Sequence, residues 1–237
     1  MKKQVRWILG FVIVILLVAG YYLITNPPSF LRQGRSVYVL QFLRNPDDHQ
    51  DWKITQGSTC NGAPFQFPVD GMIGYLWNDS FRPGHHHTGL DIFSGKEPGV
   101  TPVYAAFDGY LTREAGWIST VIIRVPSDPL NPGRQIWNYY THMASPDAKS
   151  YVSEDFPPGT KEVFVKAGTL LGYMGNYSGT PGNPTGVHLH FSIVKDDNGQ
   201  YTNELEIKNT YDPSPYFGMN LNGPQNNNGI PVCSTTD

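Results

Sequence analysis

Cysteine is nearly absent from this 237-residue chain, which holds only Cys60 and Cys233. Each stands apart from every run of His and Asp, so neither reads as a metal ligand. Charge is sparse as well, at 16% of residues, with 17 Lys and Arg against 20 Asp and Glu. Setting aside Lys2, Lys3 and Arg6, which precede a long apolar stretch, leaves 14 basic residues against 20 acidic ones, a net of −6. That balance argues against nucleic-acid binding, which draws on clustered Lys and Arg. No internal repeat is visible. What the chain has in plenty is Gly (25) and Pro (20), a composition of many turns and short strands rather than helices.

The one long hydrophobic run lies at the N-terminus, where residues 7–24 carry no charge. As a helix it would span about 27 Å, enough for a bilayer core. The apolar part of a cleaved signal peptide is shorter, about 7–15 residues. Tyr21, Tyr22 and Leu23 also occupy the place where small cleavage-site residues would stand. The length favours an uncleaved anchor over residues 7–25, with residues 1–6 in the cytoplasm by the positive-inside rule and the rest of the chain outside the cytoplasmic membrane. No polar face interrupts the run, which excludes an amphipathic surface helix. In an exported chain Cys60 and Cys233 could close a disulfide worth ~3–5 kcal/mol through the unfolded state; two free thiols are the alternative.

The exported part reads as a linker or extension over 26–60, one mainly β domain over 61–217 with its core at 67–194, and a C-terminal tail over 218–237. Residues 36–44 fit a strand or a short helix equally. Residues 103–107, the turn Asp108-Gly109 and residues 110–112 predict a hairpin. The β-branched run 120–125 predicts a central strand. Residues 135–142 alternate, which places Tyr140 and His142 on one face. Loops fall at 127–134 and 145–160, and 162–172 reads as strand, turn and strand. The Gly-, Asn- and Pro-rich stretch 175–186 predicts a loop that walls a groove. Asp70 and Asp108, beside glycines, read as turn residues, and His49 has no evident role.

Two short runs carry the chemistry. In His87-Thr88-Gly89-Leu90-Asp91, alternation puts His87 and Asp91 on a common face, with Gly89 leaving the gap between them open. In Val187-His188-Leu189-His190-Phe191, His188 and His190 share one face while Val187, Leu189, Phe191 and Ile193 take the other. His and Asp are ligand types that suit zinc, and three of them plus a water make an open, catalytic site. His85 and His86 read as exposed loop residues. Any single histidine of this kind is more often a hydrogen-bonded sheet or surface residue.

Together with Phe67-Pro68-Val69-Asp70-Gly71, Tyr140-Thr141-His142-Met143 and Thr185-Gly186, these runs resemble the lysostaphin-type (LytM-like) zinc endopeptidases. Members of that family cut peptide cross-links of bacterial cell walls. The resemblance covers residues 67–194. It implies an antiparallel β-sheet metallopeptidase domain with long loops forming a groove. It further implies one zinc ion held by His87, Asp91 and His190, with His142 and His188 as the catalytic pair. Two positions depart from the family's habit: Val187, where proline is frequent, and Ser192, where an acidic residue is common. The implied partner is the stem or bridge peptide of peptidoglycan. A non-catalytic scaffold of the same fold, binding wall peptides or activating a separate hydrolase, is the alternative. Tyr140 is either a neighbour of the catalytic pair or an ordinary sheet tyrosine.

Overall fold

The structure, a computed structural model, describes residues 35–60, 62–79, 84–219, 230–231 and 233. The expected membrane helix at 7–25 lies outside the described residues. Among those residues, no helix is long and apolar enough to cross a membrane. The described residues from Tyr38 onward form one compact unit.

The segment left open between strand and helix is a helix, α1 (Ser36–Arg44). Val39 and Phe42 recur at helical spacing, and both are buried against Met72 and Phe93. The strands that follow are β1 (Lys53–Ile54), β2 (Gly71–Tyr75), β3 (Leu90–Phe93), β4 (Pro102–Tyr104), β5 (Gly109–Thr112), β6 (Val121–Val125) and β7 (Ile136–Thr141). After them come β8 (Val163–Val165), β9 (Leu170–Tyr173), β10 (Gly175–Tyr177), β11 (Pro184–Asp197), β12 (Gln200–Tyr201) and β13 (Thr210–Tyr211). The main sheet runs in the order β1-β2-β3-β11-β7-β6-β5-β8, with β10, β12 and β13 also pairing to β11. The pairings are antiparallel. The expected central strand at 120–125 is β6, between β5 and β7.

The hairpin expected over 103–112 does not form. β4 leaves the main sheet and pairs with β9 in a separate two-stranded sheet, while β5 pairs with β6 and β8. Phe107 and Asp108 therefore carry the chain between sheets, and the Asp108 carboxylate accepts a hydrogen bond from the Ala167 amide. The expected turn at Asp108-Gly109 is not formed either, since Gly109 is the first residue of β5; the partner strands are set by non-local pairing.

β11 organises the molecule. Leu189, Phe191 and Ile193 enter the core with no exposed surface. Around Phe191 pack Tyr140 at 5.1 Å, Phe217 at 5.4 Å and Phe65 at 6.5 Å between ring centroids. Burying a phenylalanine contributes about 1.5–3 kcal/mol, and this aromatic set lies directly beneath the histidine face of the strand. Gly89 is needed for this sheet rather than for an open gap: a Cβ there would lie 2.2 Å from the Phe191 carbonyl oxygen. Cys60 and Cys233 are joined in a disulfide with a sequence separation of 173. Chain entropy for a loop of that length contributes about 5 kcal/mol.

Candidate metal centre

The register of β11 assembles the site. His190 pairs with Asp91 of β3 on one side and with Thr141 of β7 on the other. Residues directly opposite in an antiparallel pair point to the same face. Three segments separated by about fifty residues or more of chain therefore meet on the face opposite the aromatic core.

His87 lies ahead of β3, not within it, so alternation does not place it. A turn does. Its backbone amide donates to the Asp79 carbonyl at 2.9 Å, and its carbonyl accepts from the Asn78 amide at 2.7 Å. Its Nδ1 donates to the Leu76 carbonyl at 2.9 Å. That leaves Nε2 bare in the neutral ring, 3.0 Å from Asp91 Oδ1 and 3.0 Å from His190 Nδ1. His190 Nδ1 is in turn 2.8 Å from Asp91 Oδ1. On its far side, His190 Nε2 meets Ser192 Oγ at 2.8 Å. When that hydroxyl accepts the Nε2 proton, His190 Nδ1 is bare as well.

Three acceptor atoms then converge with no proton to share among them. This arrangement is costly when buried unless a cation stands between the atoms. Ligands at ~2.0–2.1 Å in a tetrahedron stand about 3.3–3.4 Å apart, so the observed triangle would have to open by only a few tenths of an ångström. The donor set of two imidazoles and a carboxylate fits zinc. Without a cation, His87 holds a proton more readily than a free imidazole does. Burial lowers the His87 pKa, but the charge and hydrogen bond of Asp91 outweigh it, and the net shift is upward. Burial likewise pushes the Asp91 carboxyl up, yet His188, His87 and His190 together hold it well below the usual carboxylate range.

His142 and His188 stand beside this triad, with ring centroids 4.4 Å apart. Each donates Nδ1–H to a main-chain carbonyl, His142 to Tyr177 at 2.6 Å and His188 to Gly186 at 2.8 Å. Each neutral ring thus presents Nε2 as an acceptor, and that of His188 lies 3.5 Å from Asp91 Oδ1. Burial lowers both pKa values, His142 to about 4, and the neighbouring imidazoles add to the effect. Phe93 stacks on the His188 ring at 5.1 Å and holds its plane.

Tyr140 and His142 do not share a face. β7 ends at Thr141, and His142 takes a left-handed backbone with φ 73°. That turn swings its imidazole onto the metal side, whereas Tyr140 stays in the core and its hydroxyl accepts the Ala106 amide at 2.9 Å. Tyr140 is the ordinary sheet tyrosine of the two readings. The positive φ costs His142 about 1 kcal/mol or more, held in place by the Tyr177 carbonyl and the following backbone.

A groove of about 710 Å³ opens over the site, lined by His87, His142 and His190 and walled in part by Trp117, Tyr177, Ser178 and Glu204. Part of the expected loop at 175–186 forms that wall, though as a hairpin: β10 pairs with the first residues of β11. His86 is exposed and bonded to Asn78, while His85 is half-buried along the groove rather than fully exposed. Sequence reasoning missed Ser192 as the partner of His190, although its spacing two residues on was a usable signal. It also missed the carbonyls of Leu76, Tyr177 and Gly186. Main-chain acceptors leave no trace in residue types.

Comparison with known proteins places this geometry. The sequence profile of peptidase family M23 matches residues 85–204. Among solved structures, the catalytic domain of the antimicrobial peptidase lysostaphin from Staphylococcus simulans is 22% identical, with a TM-score of 0.41 over 62% of this chain and 92% of that domain. A putative glycyl-glycine endopeptidase LytM from Ruminococcus gnavus is 25% identical, with a TM-score of 0.40 over 67% of this chain and 60% of that one. Csd3 of Helicobacter pylori is 20% identical, with a TM-score of 0.40 over 66% of this chain, which spans only 33% of Csd3. Among curated proteins, no relative matches the chain.

Proposed function

The chain belongs to peptidase family M23, and from that premise we propose that it is a zinc-dependent endopeptidase cutting peptide cross-links of bacterial peptidoglycan. The observation that carries this reading is the convergence of His87 Nε2, Asp91 Oδ1 and His190 Nδ1 at 2.8–3.0 Å on the floor of an open groove. These three would hold the metal. A zinc ion bound there supplies a water acidified toward pKa ~7 and a Lewis acid for the scissile carbonyl.

The other residues handle position and protons. His142, which lines the groove, offers Nε2 to the attacking water's proton and can return it to the leaving amine. His188, held by the Gly186 carbonyl and the Phe93 ring, presents a second bare Nε2 that can accept the water's proton in place of His142. The low pKa of both rings keeps them neutral, and thus able to accept, at neutral pH. Ser192 and the Leu76 carbonyl orient the two ligand imidazoles, as groups behind metal ligands commonly do. The uncharged run at 7–24 with Lys2, Lys3 and Arg6 before it supports a single membrane anchor, with this site on the outer side.

A zymogram on purified cell-wall material, with and without a chelator, tests the reading. Clearing that disappears on chelation and returns with zinc is expected. Wall binding with no clearing under any metal condition would mean the scaffold function instead.

A further inference from the structure

The groove contains a negative charge that the chemistry above does not use. Glu204 lines it, and Leu205 beside it is 75% exposed and lines it too. Both sit on a short loop that is firmly tied down. Thr202 Oγ1 donates toward the carbonyls of Lys195 and Asn209, and Asn209 Nδ2 donates to the Asn203 carbonyl at 2.9 Å. The loop is thus a fixed wall.

Glu204 and Tyr139 line the same groove, and the Tyr139 ring lies 6.5 Å from that of His190. The carboxylate thus shares its groove with the candidate metal ligand His190. Trp117, 6.4 Å from Tyr139 between ring centroids, adds an aromatic surface to the same groove. Among the described residues, no Lys, Arg or His forms an ion pair with Glu204. Burial raises its carboxyl from the ordinary range, as expected of a partly desolvated charge without a cationic partner.

From this we propose, on the premise of the function above, that Glu204 and Leu205 form a specificity subsite for a substrate side chain with an aliphatic stem and a terminal amine. The carboxylate would pair with the ammonium while Leu205 and the Trp117 ring cover the stem, the way amphipathic side chains usually divide. A bound divalent cation fits less well, because calcium takes six to eight oxygens and a lone carboxylate beside one tyrosine supplies too few. Acidic side chains would be repelled.

The test uses the full-length, zinc-loaded protein and two synthetic cross-linked peptides that differ only in a free or acetylated diamino-acid side chain. The wild type should cleave the free-amine peptide with kcat/KM about tenfold higher, the scale of one charge-assisted contact at a partly exposed site, and rising salt should shrink that preference. In Glu204→Gln the ratio should fall to near one, with zinc content unchanged by elemental analysis. Equal rates in the wild type, or a ratio that survives Glu204→Gln, would overturn the subsite. If the wild type cleaves neither peptide, the peptidase reading fails, and calorimetric binding of the same two peptides decides the subsite by itself. Tighter binding of the free amine that Glu204→Gln abolishes upholds it; equal binding overturns it.

Discussion

Replacing His87 with alanine isolates the metal proposal most cleanly, because the perturbation is small and its thermodynamic consequence can be worked out. His87 contributes one of three atoms that meet at 2.8–3.0 Å. Its removal leaves Asp91 and His190, too few to hold zinc tightly. In the wild type, zinc binds only the folded chain at this site, since turn 76–79, β3 and β11 meet nowhere in the unfolded one. At free zinc a hundredfold above its dissociation constant, the linkage stabilises the fold by about 2.7 kcal/mol. For a unit of some 200 residues that is about 5–10 °C in Tm. Scanning calorimetry of wild type and His87→Ala, each with buffered zinc and with chelator, reads this difference. The wild type should show the full upward shift with zinc, and the variant nearly none. The shift should also weaken as pH falls. Asp91 raises the His87 pKa in the metal-free protein, so at lower pH zinc must displace a proton to bind. An equal zinc-induced shift in both proteins would refute the ligand assignment.

His142→Ala and His188→Ala should each retain zinc yet lose about 10²–10⁴ in kcat; near wild-type turnover in both would discard the proton-transfer scheme. Ser192→Ala removes the hydroxyl 2.8 Å from His190 Nε2 and should weaken zinc affinity by about tenfold in a competition titration against a fluorescent chelator. An unchanged affinity would show that Ser192 does not orient the His190 ring toward the metal. The His142 pKa is depressed from 6.5 to about 4, so the unfolded chain binds more protons between those values. The associated stability, about 3 kcal/mol, is complete above pH ~6.5 and is lost as pH falls toward 4. Urea melts across that range should show the loss, and His142→Asn should flatten it.

Much of the candidate site could be read along the chain because strand periodicity is local. His188 and His190 sit opposite Leu189, Phe191 and Ile193 in the sequence pattern and in the sheet alike. Alternation failed where the backbone leaves the strand. His87 is held by the turn at 76–79, and His142 by a positive φ one residue past β7. The helix at Ser36–Arg44 was equally undecidable, since Val39 and Phe42 alone suit more than one pattern until Met72 and Phe93 are seen against them.

By itself, then, the sequence determined the residue types that converge, the faces of the strand bearing His188 and His190, and the pair of cysteines available to be joined. These follow from side-chain chemistry and a two-residue period. Only the tertiary structure decided that β4 pairs with β9, that Tyr140 points away from His142 and His188, and that Asp91 lies directly across from His190. Strand partners and register are settled by burial summed over the whole core, in which Gly89 must let two backbones touch, and no local stretch of residues carries that sum.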